Sequence, residues 1–131
     1  MHIERLFPTP VLVFNLNRQF TQEEQNVFLD NANSVNHSKT NNSLSHMTTD
    51  KNVLNDVRMS KIQLFINQSL LKYKNDIMKV KSKCELYITE SWIVYLNNGE
   101  SVHQHSHPNS IISGVLYHNE AEITFVNEKR P

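Results

Sequence analysis

Cysteine and glycine are almost missing from this chain. The single cysteine, Cys84, rules out an internal disulfide and suits a reducing compartment. Only two glycines are present, Gly99 and Gly114. A P-loop or a dinucleotide-binding turn therefore has no residues to build it, and C-x-x-C is absent as well. Charge of one sign is not in excess, since thirteen Lys and Arg balance thirteen Asp and Glu. That balance argues against a nucleic-acid partner, which ordinarily calls for a basic surplus. No apolar run approaches the roughly 18–20 residues that span a bilayer. The early apolar residues are interrupted by Pro8 and Pro10, unlike a secretory leader. A cytoplasmic protein without a membrane partner is expected, and the sequon Asn67-Gln68-Ser69 is then a chance match.

What is there suffices for one domain. With 131 residues and 38% hydrophobic content the chain supports a single modest core. Residues 11–14, Val-Leu-Val-Phe, follow two prolines and predict a first strand. Thr21 then stands as a helix N-cap with Glu24 as its capping-box partner, and Phe20 as a possible staple. Val27 and Phe28 give that helix a narrow apolar stripe. Residues 31–45, rich in Asn and Ser, read as a long loop. From 52 to 80 the apolar residues Leu54, Val57, Ile62, Phe65, Ile66, Leu70, Tyr73, Ile77 and Val80 recur at three- and four-residue steps. This predicts one long helix packed by that face, with Asp50 and Asp56 near its start.

The period then drops to two. Leu86, Ile88, Glu90, Trp92, Val94 and Leu96 alternate with Tyr87, Thr89, Ser91, Ile93 and Tyr95, as in a strand. Asn97-Asn98-Gly99 signals a turn. Further strands are expected at 102–107, 111–117 and 123–126. The layout has a strand and helices in 1–82 and an antiparallel meander in 83–131. It is an α+β single domain, 1–131, leaning to all-β, without internal repeats.

The meander carries the most informative stretch, His103-Gln104-His105-Ser106-His107-Pro108. Alternate side chains on a strand share one face at about 6.5–7 Å, so neighbouring imidazoles can converge on one ion. His103 and His107 would stand about 13 Å apart on a regular strand, too far for one ion without a bend. The expected chelating pair is therefore His105 with His107, or His103 with His105, with Pro108 ending the strand and aiming the ring. Imidazole accepts iron, zinc, copper or nickel, and three facial ligands with open positions favour non-haem iron(II). Surface histidines on a polar strand are the plain alternative. Weaker candidates surround the pair. His118, Glu120 and Glu122 are possible third ligands, though a solvated turn is the simpler expectation. Tyr95 and Tyr117 are strand tyrosines able to hold a carboxylate through their hydroxyls. Cys84 is expected to be at least partly buried, and His37 and His46 show no ligand spacing.

Taken together, these residues resemble a group of 2-oxoglutarate- and iron(II)-dependent oxygenases, many from marine bacteria and their phages. The resemblance is carried by Ile3-Glu4-Arg5-Leu6-Phe7-Pro8-Thr9-Pro10, by Glu90-Ser91-Trp92 and Gly99, and by His105-Ser106-His107-Pro108-Asn109-Ser110. Ser113-Gly114-Val115-Leu116-Tyr117 completes it in the same order. It implies a double-stranded β-helix, a jelly-roll barrel with helices outside, and iron(II) at the barrel mouth with 2-oxoglutarate as cosubstrate. By the same resemblance His105 and His107 match the metal-binding pair, and Tyr117 matches a tyrosine that contacts 2-oxoglutarate. The implied activity is hydroxylation of a C–H bond in a second substrate.

The sequence departs from that pattern late. The family places a further histidine and a basic residue on later strands. Here only 24 residues follow His107, none after His118 is a histidine, and Lys129 and Arg130 stand next to the final Pro131. An incomplete barrel is expected, completed by another subunit, or belonging to a fragment, or kept for a non-catalytic assembly role such as a virion component. Open sheet edges favour a homo-oligomer or larger assembly. Gly99, five residues and His105-Ser106-His107 also match the start of a cupin motif. The glutamate expected within 108–112 is missing, so a small cupin-like metal-binding protein is a third expectation.

Overall fold

The computed structural model describes residues 9–40, 43–80 and 83–126. The opening motif up to Pro8, and Lys129 with Arg130, lie outside them. Helix α1 covers Gln22–Asn31 and begins as its capping residues dictate. The Thr21 hydroxyl accepts from the Glu24 amide at 3.2 Å, and the Glu24 carboxylate accepts from the Thr21 amide at 2.8 Å. Glu24 is fully buried, and Arg18 satisfies its remaining lone pairs with two donors at 2.7 and 2.8 Å. The Arg18 guanidinium, more than the Thr21 amide, holds the Glu24 carboxyl below the usual glutamate range. Phe20 does not staple the fourth helical position, which is Gln25. Its ring meets Phe28 edge-on at 5.4 Å, and its carbonyl accepts from the Gln25 side chain.

Residues 31–45 are not a long loop. Strands β1, Val35–Thr40, and β2, Ser43–Thr48, form an antiparallel hairpin whose register pairs Val35 with Thr48 and Thr40 with Ser43. Their Asn- and Ser-rich sequence lacks alternating apolar residues. Main-chain pairing and the neighbouring strand decide the structure instead of side-chain pattern. Strand β3, Val94–Tyr95, pairs antiparallel with β2, giving the order β1-β2-β3. The fold is a mixed α+β arrangement of two helices and a small three-stranded antiparallel sheet.

The long helix expected over 52–80 is divided. Two 3₁₀ turns, Val53–Asn55 and Val57–Met59, precede α2, Ser60–Tyr73, and a π-helical turn, Lys74–Met78, follows it. Asp56 causes the early break. Its backbone is extended and its carboxylate caps the Arg58 amide at 2.9 Å. The break turns Val57 out to solvent, although the helical period placed it on the buried face. Asp50 accepts from the Asn52 amide just before the first turn.

The core is small. Val27, Val53, Met59 and Ile62 are buried, and Leu16, Phe20, Phe28, Leu54, Ile66 and Ile93 pack on them. Arg58 ties α1 to the second 3₁₀ turn by donating to Asp30 at 2.6 Å and to Asp56 at 2.7 Å. Residues 11–14 have no ladder partner among the described residues, yet Leu12 and Phe14 are half-buried while Val11 and Val13 are exposed. The segments 102–107, 111–117 and 123–126, expected as strands, likewise carry no ladder pairing among the described residues. Most of their side chains are exposed, from Leu116 at 37% to Ile111 at 80%, and Ile112 alone is half-buried. Without a facing layer, period-two patterning has nothing to pack against. Among the described residues no helix is long and apolar enough to cross a membrane.

The depressed Glu24 pKa makes an acid-sensitive prediction. Its contribution is fully present above the ordinary glutamate value of about 4.3 and is lost as pH falls through the lower folded value. Glu24→Gln should cost about 1–3 kcal/mol at pH 7, because it weakens the Arg18 and Thr21 bonds. Urea unfolding at pH 7 and pH 3 should show a smaller acid-induced loss for the variant than for the native chain. An equal loss in both would place the acid sensitivity elsewhere.

Candidate metal-binding site

The site begins at a seam between β2 and residues 91–93, the segment that leads into β3. Thr48 is fully buried. Its amide donates to the Ile93 carbonyl at 3.0 Å, its hydroxyl accepts from the Ile93 amide at 3.1 Å, and the same hydroxyl donates to the Asp50 carbonyl at 2.9 Å. One residue pair away, the Ser91 amide donates to Lys51, and its carbonyl and hydroxyl accept from the Val53 and Leu54 amides. Trp92 is clamped between these two knots. The Lys51 ammonium lies 4.9 Å from its ring centroid and 3.1 Å from the Met47 sulfur.

The His107 ring lies against Trp92 with centroids 5.7 Å apart. A turn at Pro108-Asn109 follows, closed by the Ser110 amide donating to the His107 carbonyl at 3.1 Å. The three histidine rings succeed one another, with centroids 5.2 Å apart from His103 to His105 and 4.8 Å from His105 to His107. The Nε2 atoms of His105 and His107 are 3.2 Å apart. Two imidazole nitrogens each about 2.0–2.1 Å from one ion stand about 2.9 Å apart at a right angle and about 3.4 Å apart at the tetrahedral angle. The observed separation falls between those limits.

The tautomer of His105 follows from its partner. Its Nδ1 is 2.7 Å from the His103 carbonyl oxygen. A carbonyl only accepts, so Nδ1 carries the proton and donates. In the neutral ring Nε2 then presents its lone pair toward His107. That backbone bond is the outer-shell device that orients histidine ligands in metal sites. His103 contributes its carbonyl to the arrangement, and its ring lies tilted against that of His105.

The remaining candidates are elsewhere or otherwise engaged. The Tyr95 hydroxyl donates to the Phe28 carbonyl at 2.5 Å and ties β3 to α1. Burial pushes its phenol pKa up, and its hydroxyl is spent on the backbone. His118 packs on Phe20 and Phe28 of the α1 region at 5.0 and 4.6 Å, and its Nδ1 contacts the Asn119 side chain. Glu120 and Glu122 are exposed, as is Cys84, which was expected to be at least partly buried. Tyr117 is partly exposed. Among the described residues no three His, Cys, Asp or Glu side chains converge as a metal-binding group.

Two features had no sequence signal. Lys51, Met47 and Trp92 form one cluster only because β2 and the residue-91 segment are stitched together. His46, in register with Tyr95, lies 3.5 Å from the Glu100 carboxylate beyond the Asn97-Asn98-Gly99 turn. There Gly99 adopts φ 83°, a conformation that favours glycine. The Glu100 carboxyl is held below its usual range chiefly by the Asn97 amide, with the Asn97 side chain and His46 adding to it. The chain matches no family model, no curated protein and no solved structure.

Chelation by the pair predicts a specific loss pattern. Calorimetric titration with zinc(II) or nickel(II) should give binding that weakens roughly tenfold or more in His105→Ala and in His107→Ala. His118→Ala should leave it unchanged. Affinity should also fall as pH is lowered, because the ligating imidazoles must be unprotonated.

Proposed function

We propose that the chain binds a divalent transition metal through His105 and His107 and is the histidine-bearing part of an iron(II)- and 2-oxoglutarate-dependent oxygenase. The observation that carries this reading is the 3.2 Å separation of the two Nε2 atoms, with the His105 tautomer set by the His103 carbonyl. The donor chemistry fits: neutral imidazole is a good ligand for iron(II), and the pair is exposed, as a site with open coordination positions requires. A facial triad needs three protein ligands, and the described residues contribute two. The third donor then comes from outside them, and no reaction step is assigned to the chain alone. When bound, iron(II) with 2-oxoglutarate supplies dioxygen activation for C–H hydroxylation.

The roles of the chain's own residues are positional. His105 and His107 hold the ion, the His103 carbonyl orients His105, and Trp92 backs the His107 ring. Tyr117 is the residue proposed to meet a 2-oxoglutarate carboxylate, on the strength of the family resemblance. The associated fold is a double-stranded β-helix, in which 102–126 pair with strands from another copy or a larger assembly. The exposed apolar residues of that segment support this pairing. They equally favour a second reading, a non-catalytic assembly module in which the histidines are a relic.

Anaerobic addition of iron(II) with and without 2-oxoglutarate separates these. The oxygenase reading predicts a visible metal-to-ligand charge-transfer band that needs both components and disappears in His105→Ala. An assembled protein that retains no iron and gives no band would overturn it in favour of the assembly module.

A further inference from the structure

The histidine pair sits on an open face, for every residue from 101 to 111 is exposed. The 3.2 Å between the two Nε2 atoms lies nearer the tetrahedral limit of about 3.4 Å than the right-angle limit of about 2.9 Å. With metal–nitrogen bonds of about 2.0–2.1 Å, that separation subtends roughly 100–106° at the ion. Such a bite suits zinc(II), which takes four ligands in a tetrahedron. The pair fills two of those positions. Among the described residues no third His, Cys, Asp or Glu joins it.

We propose that zinc(II) joins two copies of this chain, each contributing His105 and His107 to one four-imidazole site. The inference rests on the metal-pair part of the function proposed above and names the source of the missing donors. Two identical bidentate pairs crossed at a right angle make a tetrahedron, and a two-fold axis through the ion relates them. The second pair arrives with its geometry set, because the His103 carbonyl orients the His105 ring in each copy. Little ordering is then left to be done on association. Charge does not oppose the approach, since residues 101–111 contain no Asp, Glu, Lys or Arg. Val102 and Ile111, exposed at 40% and 80%, flank the histidines in sequence and give the second copy apolar surface to cover. Four imidazoles leave no open coordination position, so the zinc-bridged form is distinct from a centre that admits 2-oxoglutarate.

Zinc(II) titrated into the full chain tests this by two readouts, sedimentation equilibrium and the emission of Trp92, the only tryptophan. Emission reports an ion at His107, because the two rings are in contact, and mass reports bridging. After chelation the chain should sediment as a single copy of 15.3 kDa. Its mass should double as zinc reaches one ion per two chains, with the Trp92 change complete at the same ratio, and a chelator should reverse both. His105→Ala and His107→Ala alter exposed side chains and should fold, yet stay at the single-copy mass. A Trp92 response that saturates at one zinc per chain with no change of mass would overturn the bridge and leave the pair as the ion's site. No Trp92 response and no change of mass would overturn the pair and the bridge together. Doubling that survives chelation, or that persists in His107→Ala, would place the contact elsewhere and overturn the proposal.

Discussion

Thr48 holds this structure together at the point where three segments meet. Its amide and hydroxyl bracket Ile93, and the hydroxyl also reaches the Asp50 carbonyl. With Ser91 bonded to Lys51, Val53 and Leu54, the two knots join the hairpin, the turns before α2 and the segment leading into β3. Each bond contributes only about 0.5–1.5 kcal/mol net. Their value lies in geometry, because a buried hydroxyl with all its bonds made leaves one arrangement for the residues around it. Trp92 is placed by that arrangement, and His107 packs on Trp92. The His107 ring is thus backed by a seam whose two sides are residues 48–54 and 91–93.

Polar ties matter here because so little apolar surface is fully buried. Among the described residues, four hydrophobic side chains make up the buried core. Around them Arg18 locks the start of α1 through Glu24, Arg58 bridges α1 to the 3₁₀ turn through Asp30 and Asp56, and Tyr95 fastens β3 to the Phe28 carbonyl. The Arg58 guanidinium pKa is raised and the Asp56 carboxyl lowered by their mutual hydrogen bonds, a pairing that neutral pH leaves intact. By contrast, 102–126 carries period-two apolar residues that have no ladder partner among the described residues and stand largely exposed, Ile111, Val115 and Phe125 most of all. That contrast is what links the proposed metal pair to the idea of an assembled partner.

The parts legible from sequence were those decided within a few residues. The Thr21-Gln22-Glu23-Glu24 capping box is visible as letters because its two hydrogen bonds span three residues. The Asn97-Asn98-Gly99 turn is visible because it needs a residue tolerant of positive φ. The His105–His107 alternation is visible as letters, but residues 102–107 form no strand, so the 3.2 Å approach of their Nε2 atoms does not come from strand geometry. Where distant segments decide, legibility ends. The 35–48 hairpin has polar strands whose pairing is made by the main chain, so no apolar alternation announces it. The split at Asp56 depends on a carboxylate preferring to cap Arg58 over continuing a helix. Tyr95 reads in sequence as a free strand tyrosine, but its hydroxyl is spent on the Phe28 carbonyl of α1, some seventy residues away in the chain.

The central claim is that His105 and His107 act as one bidentate unit whose tautomer is preset by the His103 carbonyl. Long-range ¹H–¹⁵N correlation spectra of the histidine rings test it directly. Without metal, His105 should appear as the Nδ1-protonated tautomer. Stepwise zinc(II) should then move the Nε2 resonances of His105 and His107 together, at the same metal concentration, while His118 stays in place. An Nε2-protonated His105, or a different pair of histidines responding first, would contradict the account.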